Sequence, residues 1–364
     1  MGNDLFKPAG KLRNGWTTGA CATAAAKAAL QALLQGHFEK TVTIQLPGGQ
    51  QPTFTLSSHS LTGDQARAGI IKDAGDDPDV THGAEIIVTL KATAAGLGVS
   101  FHAGAGVGTV TLPGLPISVG EPAINPGPRK MITEAIEALA ASFDRPADFA
   151  ITISIPGGEA LALKTMNGRL GIKGGLSVLG TTGIVRPYSC SAWIHSIHSG
   201  IDVARATGLK HMAASTGSTS EAAIKALYDF GDSALIDMGD FAGGVLKYLR
   251  HHPLGKLTLA GGFGKFVKLA QGHMDLHSAR SRLDFDKLTS CLAELGATPE
   301  TITQAQKATT AMAVLELAGA DNIALADLIA TRARAVALAA VDNGLAIEVC
   351  IFDRNGQLVG RADG

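Results

Sequence analysis

The segment from Gly168 to Pro187, which reads GRLGIKGGLSVLGTTGIVRP, has the composition of a loop that binds a ligand. Its six glycines allow the backbone to approach a ligand closely and to present N–H groups to an anion. A core strand tolerates few glycines, and a flexible linker has no use for apolar residues such as Leu176 and Val178. We therefore predict a binding loop rather than an ordinary glycine-rich connection. The residues expected to contact the ligand are Gly180, Thr181, Thr182 and Gly183.

Three other turns follow short apolar segments in the second half of the chain. They are Thr216-Gly217-Ser218, Asp237-Met238-Gly239-Asp240 and Gly261-Gly262-Phe263-Gly264-Lys265. In an open parallel sheet, ligands bind beyond the carboxyl ends of the strands, where helix N-termini also lie. We expect these turns to line one crevice with the glycine-rich loop, although a packing role is an equal alternative for any single turn. The predicted ligand contacts are Thr216, Gly217, Asp237, Gly261 and Gly262, with Asp237 or Asp240 suited to accept hydrogen bonds from ribose hydroxyls.

The established nucleotide-binding motifs are missing from the sequence. No Gly-x-Gly-x-x-Gly opens a helix after a strand, and Gly264-Lys265 lacks the upstream glycine and the following hydroxyl of a phosphate-binding loop. A kinase or dehydrogenase would fit the second half of the chain but would require such a motif. Phosphate transfer is therefore poorly supported.

Two groups of ionisable residues invite a metal interpretation. His273 and His277 are four residues apart, which on a helix would place both imidazoles on one face. A zinc site needs a third ligand that the sequence does not supply, so we expect this pair to face a substrate instead. The acidic run Asp73–Asp79 lacks the ligand spacing of a calcium loop and predicts a turn with Asx-type capping.

Composition limits the class of protein. The formal net charge is -1 and the isoelectric point is near 6.8, which argues against nucleic-acid or membrane-surface binding. No apolar segment is long enough to span a bilayer and the first residues lack a signal-like pattern, so we expect a cytoplasmic protein. The four cysteines form no Cys-x-x-Cys pair, and buried free thiols are expected rather than an iron–sulfur or zinc site.

The predicted elements differ between the two halves. Thr17 and Thr18 are suitable N-caps for an alanine-rich helix that ends near Gly36. Another helix is predicted over 128–142, and strands over 41–46, 53–56, 84–91, 106–112, 149–155 and 160–163. The second half alternates helices over 190–207, 220–230 and 241–251 with strands over 210–215, 233–237 and 256–260, followed by mostly helical sequence and a last strand over 346–352.

This pattern, with a length of 364 residues, predicts two domains. Residues 1–185 are expected to form an α+β domain with hairpins and the glycine-rich loop. Residues 186–364 are expected to form an α/β domain whose mostly parallel sheet is flanked by helices.

The glycine-rich loop and several other strings closely resemble the signatures of the cobalt-precorrin-5B C1-methyltransferases, the CbiD family. The opening block Arg13–Gly19 resembles the family's Arg-x-Gly-aromatic-Thr-Thr-Gly signature. Matching strings in the expected order are 72–81, 120–132, 239–241 and 264–278, and the resemblance thins after about residue 290.

The resemblance implies transfer of a methyl group from S-adenosylmethionine to C1 of cobalt-precorrin-5B, and it implies the ligands of the predicted site. Seven cations lie inside glycine- or proline-rich motifs and would bind the carboxylates of the corrinoid, although a surface ion pair is the alternative for each. The predicted substrate-binding residues are Arg13, Thr17, Thr18, Arg129, Lys130, Arg169, Arg186, Lys265 and Lys268. If the macrocycle must lose a proton, the candidate general bases are His277, Asp240 and His195. Cobalt belongs to the substrate, so no metal held by the protein is expected.

Two questions stay open at this level. A non-catalytic corrinoid-binding or carrier protein would use the same cations without a donor pocket. The sequence is also compatible with either a monomer or a homodimer.

Overall fold

The computed structural model describes residues 10–342 and 344–363. The described residues up to Ser189 form one compact unit, here the N-terminal unit, and those from Cys190 onward form a second, the C-terminal unit. The division into domains at residues 185 and 186 stays a prediction. Both units combine helices with sheets, so the chain is a mixed α/β protein.

The N-terminal unit contains three helices and several short strands within its described residues. In chain order they are β1 (Gly15–Trp16), α1 (Thr18–Gln35), β2 (Thr41–Thr43), β3 (Thr53–Thr55), β4 (Ser58–Thr62), β5 (Gln65–Ile71), β6 (Glu85–Ala92), β7 (Val99–Ala103), β8 (Gly106–Val107), β9 (Thr109–Val110), α2 (Pro126–Ala141), β10 (Phe149–Ser154), α3 (Gly158–Ala162), β11 (Ile172–Lys173), β12 (Gly175–Leu176) and β13 (Ile184–Val185).

The main sheet of this unit has the order β4-β5-β6-β10-β7. Its neighbouring strands are antiparallel except for β10 and β7, which run parallel. Alternate residues such as Ala68, Val88 and Ile153 are buried on one face, where they pack with α1 and α2 in a single core. Apolar residues alternate with polar ones along these strands, and this alternation places the apolar side chains on the face that packs against the helices.

Helix α1 begins and ends as its sequence predicts. The Thr17 hydroxyl accepts a hydrogen bond from the Ala20 amide at 3.1 Å, and Gly36 closes the helix in the left-handed conformation at φ 85°. Its alanines are almost completely buried, because a side chain this small lets the helix lie close to α2 and to the sheet.

The C-terminal unit contains the remaining elements. They are α4 (Cys190–Ala206), β14 (His211–Ser215), α5 (Ser218–Tyr228), a 3-10 turn (Asp232–Ala234), β15 (Leu235–Asp237), α6 (Ala242–His251), β16 (Lys256–Gly262), α7 (Phe263–Ala270), α8 (Phe285–Glu294), α9 (Pro299–Gln306), α10 (Ala311–Ala320), α11 (Leu325–Val341), β17 (Ala346–Phe352) and β18 (Leu358–Ala362).

The sheet of the C-terminal unit has the order β15-β14-β16-β17-β18. The first four strands are parallel, as the alternating pattern predicts, and β18 adds an antiparallel edge. One face carries apolar residues such as Met212 and Leu259 and packs against most of the helices. The other face carries Ala213 and Cys350, which pack with Ile224 of α5.

A buried carboxylate is neutralised on the α5 face of this sheet. Glu348 is fully buried and accepts hydrogen bonds from the Tyr228 hydroxyl at 2.6 Å, the Thr258 hydroxyl at 2.6 Å and the Arg361 Nε at 2.8 Å. His211 Nε2 lies 2.7 Å from the Thr258 hydroxyl. Because that hydroxyl donates to Glu348, it accepts from His211, so the ring carries its proton on Nε2.

Two local predictions are wrong, and the condition stated for one histidine pair is not met. Residues 160–163 do not form a strand, because Glu159, Ala160 and Leu161 are strong helix formers and lie in α3. His273 and His277 are not on a helix, because α7 ends at Ala270 and Gly272 follows at φ 91°. Cys190 is exposed, whereas Cys21, Cys291 and Cys350 are buried as predicted, and burial raises the pKa of the Cys21 thiol to about 12.

Candidate functional site

The order of connections in the parallel sheet reverses at β14. The chain leaves β14 on one side to form β15 and then crosses to the other side to form β16. Ligands of open parallel sheets bind in the crevice outside the carboxyl ends of the strands at such a reversal. The turns that follow β14 and β16 are therefore the first place to look for a ligand site in the C-terminal unit.

Two glycines at this reversal border open space. A Cβ atom built at Gly217 or at Gly262 would have no heavy atom within 4 Å. A Cβ at Gly261 would instead lie 2.5 Å from the Thr216 hydroxyl oxygen and 2.8 Å from the Phe266 ring. Gly261 is therefore needed for packing, whereas Gly217 and Gly262 leave room for a ligand beside the starts of α5 and α7.

Sequence reasoning missed Ser215, the last residue of β14. Its side chain is almost completely buried, and its hydroxyl has no hydrogen-bond partner, a state shared among the described side chains only with the Thr93 hydroxyl. An unpaired buried hydroxyl costs about 1–3 kcal/mol, so a small buried partner such as a water molecule would stabilise this end of β14. The only signal in the sequence is the position of a serine directly before the turn Thr216-Gly217.

Asp237 ends β15 on the neighbouring strand, where it is opposite Ser215. Its Oδ1 accepts a hydrogen bond from the Gly239 amide at 3.2 Å, and its carbonyl oxygen accepts one from the Trp193 Nε1 at 3.0 Å. Asp237 follows Gly217 by 20 residues, which is the spacing of a ribose-binding carboxylate after the first turn of a dinucleotide-binding fold. A carboxylate can accept several hydrogen bonds, so this group can serve the turn and a ligand together.

The charged residues beyond β15 and β16 are largely engaged with one another. Asp240 and Lys265 form an ion pair between the starts of α6 and α7. Lys268 donates to the Leu276 carbonyl at 2.9 Å, and burial, followed by the neighbouring Lys265, lowers its pKa. Lys268 therefore holds the loop after α7, whereas Lys265 lies nearer the reversal.

The two histidines proposed as bases are both exposed. The Nδ1 of His277 accepts a hydrogen bond from the Ala279 amide at 3.1 Å, so the neutral ring carries its proton on Nε2. That arrangement makes His277 a hydrogen-bond donor rather than a base. His195 lies on α4, and its ring makes no hydrogen bond within the described part of the chain.

The glycine-rich loop is fixed to the start of α1 in the N-terminal unit. The Thr17 amide donates to the Gly183 carbonyl at 3.0 Å and the Gly19 amide donates to the Leu179 carbonyl at 2.9 Å. Gly180 has φ 124°, and a Cβ there would lie 2.2 Å from the Thr17 hydroxyl oxygen. The loop is thus attached to the start of α1, and close packing requires glycine at Gly180 and at Gly183, whose Cβ would lie 2.5 Å from the Leu46 side chain.

Two residues of this loop stay exposed beside two helix starts. Thr181 and Thr182 are exposed, and a Cβ at Gly127, in the first turn of α2, would lie 3.2 Å from the Thr181 Cα. Neither α1 nor α2 has an acidic residue in its first turn. The positive ends of both helices therefore favour an anionic group near Thr181. Thr18 is buried at the start of α1.

The predicted cations of the N-terminal unit differ in availability. Arg129 donates to the Ile124 carbonyl at 2.9 Å, and Arg13 forms a two-point ion pair with Asp73 at 2.5 and 2.9 Å. That pairing lowers the pKa of the Asp73 carboxyl to about 2. Lys130 is exposed, 3.8 Å from Glu134, and Arg169 is half-buried in the glycine-rich loop.

Arg186 is available to a ligand among the predicted cations of this unit. Its side chain is exposed and forms no ion pair with another described residue. It directly follows β13, the strand of the glycine-rich loop that pairs with β1.

The acidic run forms the predicted turns. Asp73 Oδ1 accepts from the Gly75 amide at 2.9 Å and Asp79 Oδ1 accepts from the Thr81 amide at 2.7 Å. The buried Lys72 ammonium lies 2.5 Å from the Asp79 carboxylate. In the described residues, no group of three histidine, cysteine or acidic side chains is arranged to hold a metal ion.

The predicted site residues fall into two sets, one in each unit. The turns after β14, β15 and β16 lie at one edge of a single sheet in the C-terminal unit, with Thr216, Gly217, Asp237, Asp240, Gly261, Gly262 and Lys265. The glycine-rich loop, Thr17, Thr18 and Arg186 are brought together in the N-terminal unit. No helix of the described chain is both long and apolar enough to cross a membrane.

Comparison with known proteins gives consistent matches. The family model described as CbiD matches residues 6–187, and that of the CbiD C-terminal domain matches residues 275–363. The cobalt-precorrin-5B C(1)-methyltransferase of Paramagnetospirillum magneticum is 56% identical over 96% of this chain and 98% of its own length. The enzyme of the same name from Brucella anthropi is 56% identical over 99% of this chain and 100% of its own length. That from a Bradyrhizobium species is 54% identical over 97% of this chain and 94% of its own length.

One solved structure also matches, that of a cobalamin biosynthesis protein (cbiD) from Archaeoglobus fulgidus. It is 26% identical, and the match covers 74% of this chain and 84% of that one. The TM-score of 0.41 is too low for a comparison of the two folds. The family models and the near full-length identities together establish that this chain belongs to the CbiD family.

Proposed function

We propose that this chain catalyses the S-adenosylmethionine-dependent methylation of C1 of cobalt-precorrin-5B, which yields cobalt-precorrin-6A in cobalamin biosynthesis. The observation that carries this conclusion is the 54–56% identity over nearly the whole chain with enzymes named for that reaction. A non-catalytic corrinoid carrier is not favoured, because these relatives are named as methyltransferases.

The residues at the reversal of the parallel sheet fit the methyl donor. S-adenosylmethionine, when bound, supplies an electrophilic methyl group on a sulfonium. Gly217 and Gly262 leave room for it, and the Asp237 carboxylate is suited to accept hydrogen bonds from its ribose. The N-termini of α5 and α7 favour its carboxylate. No phosphate-binding motif is needed, which agrees with the absence of one from the sequence.

The cobalt corrinoid requires cations for its carboxylates, and two of the predicted candidates are exposed. Arg186 and Lys130 lie in the N-terminal unit, whereas Lys265 in the C-terminal unit is paired with Asp240. The guanidinium of Arg186 can bind one carboxylate with two parallel hydrogen bonds. Arg13 and Arg129 would first have to leave their present partners, so we assign them to the support of the loops that they bridge.

The enzyme acts mainly by positioning. An in-line displacement needs the attacking carbon and the methyl group about 3–3.5 Å apart and aligned, and binding both partners in that geometry removes most of the entropic barrier. If the macrocycle carbon must first lose a proton, His195 is the candidate with an unoccupied ring nitrogen. His277 is suited to donate a hydrogen bond to a carboxylate, and Asp240 is already paired with Lys265.

The decisive experiment supplies methyl-labelled S-adenosylmethionine with cobalt-precorrin-5B. We expect the label to appear on the corrinoid, together with S-adenosylhomocysteine. Binding of the corrinoid without any transfer of label would identify a carrier instead. A sedimentation measurement distinguishes a monomer from a homodimer, and cell fractionation tests the predicted cytoplasmic location.

A further inference from the structure

An exposed tryptophan lies beside the predicted ribose acceptor. Trp193 is in the first turn of α4, and 42% of its surface is exposed. Its indole Nε1 donates to the carbonyl oxygen of Asp237 at 3.0 Å, so the ring is held in one orientation. An exposed aromatic ring that is fixed in place offers a face on which a planar ligand can stack.

The surroundings of this ring leave much of it uncovered. Gly239 has φ 51°, which favours glycine, and a Cβ there would make a tight contact at 3.3 Å from the indole. Phe241 flanks the ring at 6.3 Å between centroids. The backbone therefore supports one edge of the indole while a large part of the ring stays in contact with solvent.

The position of Asp237 indicates which part of a ligand would meet this ring. A ribose bound to the Asp237 carboxylate carries its base one glycosidic bond away, and the indole is attached to the same residue through its carbonyl. Purine bases stack on aromatic side chains whatever their hydrogen-bonding edges, and removal of such a ring costs about 1–3 kcal/mol per base.

We propose that Trp193 stacks on the adenine of the methyl donor and so fixes the adenosyl group against the carboxyl end of β15. This inference rests on the proposed function, because it assigns one part of the same donor to one residue. Trp193 is a binding residue in this scheme, and it takes no part in the chemical step.

The test uses the product S-adenosylhomocysteine as the probe and measures binding rather than turnover. The chain has two tryptophans, and Trp16 packs edge-on against Phe54 in the N-terminal unit. In a Trp16→Phe variant all tryptophan fluorescence comes from Trp193, and we expect it to change on titration with S-adenosylhomocysteine. By calorimetry, Trp193→Ala should weaken this affinity about ten- to hundredfold, and Trp193→Phe by only a few fold.

The matched control is Phe143→Ala. Phe143 has a similar exposed fraction, 39%, but lies in the N-terminal unit far along the chain from the turns after β14 and β15, and its removal should leave the affinity unchanged. Circular dichroism and thermal unfolding establish that each variant is folded.

Each outcome has a distinct meaning. Equal affinity of Trp193→Ala and the wild-type protein would overturn the stacking inference and leave the proposed function intact. Fluorescence that responds to cobalt-precorrin-5B but not to S-adenosylhomocysteine would assign the ring to the macrocycle and also overturn it. A wild-type protein that binds no S-adenosylhomocysteine at all would count against the proposed function itself.

Discussion

Gly262→Val tests the donor site at the reversal of the sheet without disturbing the fold. Gly262 has φ −77° and ψ 152°, a conformation that valine adopts readily, and open space surrounds its missing Cβ. Valine is a poor N-cap for α7, which lowers the free energy of unfolding by up to about 1 kcal/mol. The unfolded chain of the variant is less flexible, which raises the free energy of unfolding by about 0.4–1 kcal/mol. We therefore expect a change in the free energy of unfolding of less than about 1 kcal/mol, or a shift in melting temperature of about 2–4 °C at most.

The effect on binding should be much larger. The valine side chain would occupy the space that we assign to the donor, so the affinity for S-adenosylhomocysteine should fall at least about tenfold, or 1.4 kcal/mol. Calorimetry measures this affinity, and chemical denaturation measures the stability of the same sample. A folded variant that binds S-adenosylhomocysteine as tightly as the wild-type protein would refute the placement of the donor at Gly262.

Gly231→Val provides a matched control. Gly231 also precedes a helical turn, has φ −67° and ψ 157°, and has open space around its missing Cβ, but it lies before the amino end of β15. Its replacement should leave donor affinity unchanged. Gly261→Ala is the opposite control, since its Cβ would collide with Thr216 and destabilise the unit by about 1–3 kcal/mol.

Three further outcomes follow from the structure. Gly180→Ala should lower the free energy of unfolding by about 2–5 kcal/mol, because φ 124° strains any L residue and the new Cβ would collide with Thr17. A denaturation curve that matches that of the wild type would contradict the loop geometry. Arg186→Ala should weaken cobalt-precorrin-5B binding without loss of stability, and an unchanged dissociation constant would remove Arg186 from the site. Burial, followed by the charge of Lys256, lowers the pKa of His211, so its folded form stays neutral while the unfolded form gains a proton below about pH 6.5. Stability should therefore fall as the pH drops below that value, and His211→Gln should flatten this part of the stability profile; equal slopes would show that another group is responsible.

Much of the architecture could be predicted because local sequence and tertiary packing agree. Thr17 and Gly36 mark the ends of α1 by capping chemistry that acts within a few residues. The strands of the C-terminal sheet are short apolar runs between amphipathic helices, a pattern that only a covered parallel sheet satisfies. The sequence predicts a strand over 160–163 because the preceding Pro-Gly-Gly resembles a hairpin turn. In the structure the Glu159 carboxylate accepts a hydrogen bond from the Gly106 amide at 2.7 Å, and the chain continues as α3.

The candidate site could be predicted only in part. Glycines mark the turns, but the sequence does not distinguish Gly262, which borders open space, from Gly261, which is enclosed by packing. The cations present the same difficulty, since the partner of Arg13 is 60 residues away. Ser215 and Trp193 were missed because a lone serine and a lone tryptophan are unremarkable until the fold shows that one is unpaired and the other uncovered.

The attachment of the glycine-rich loop to α1 also affects how the N-terminal unit can be assembled. The acceptor of the Gly19 amide lies 160 residues further along the chain, and the acceptor of the Trp16 amide is Asp73. Contacts between such distant segments close large loops and make folding slow. During synthesis, the Gly19 amide at the start of α1 gains its acceptor only after Leu179 has been translated. A fragment that stops short of that residue would leave amides at the start of α1 without their acceptors, so we expect it to be less stable than a fragment that includes the loop.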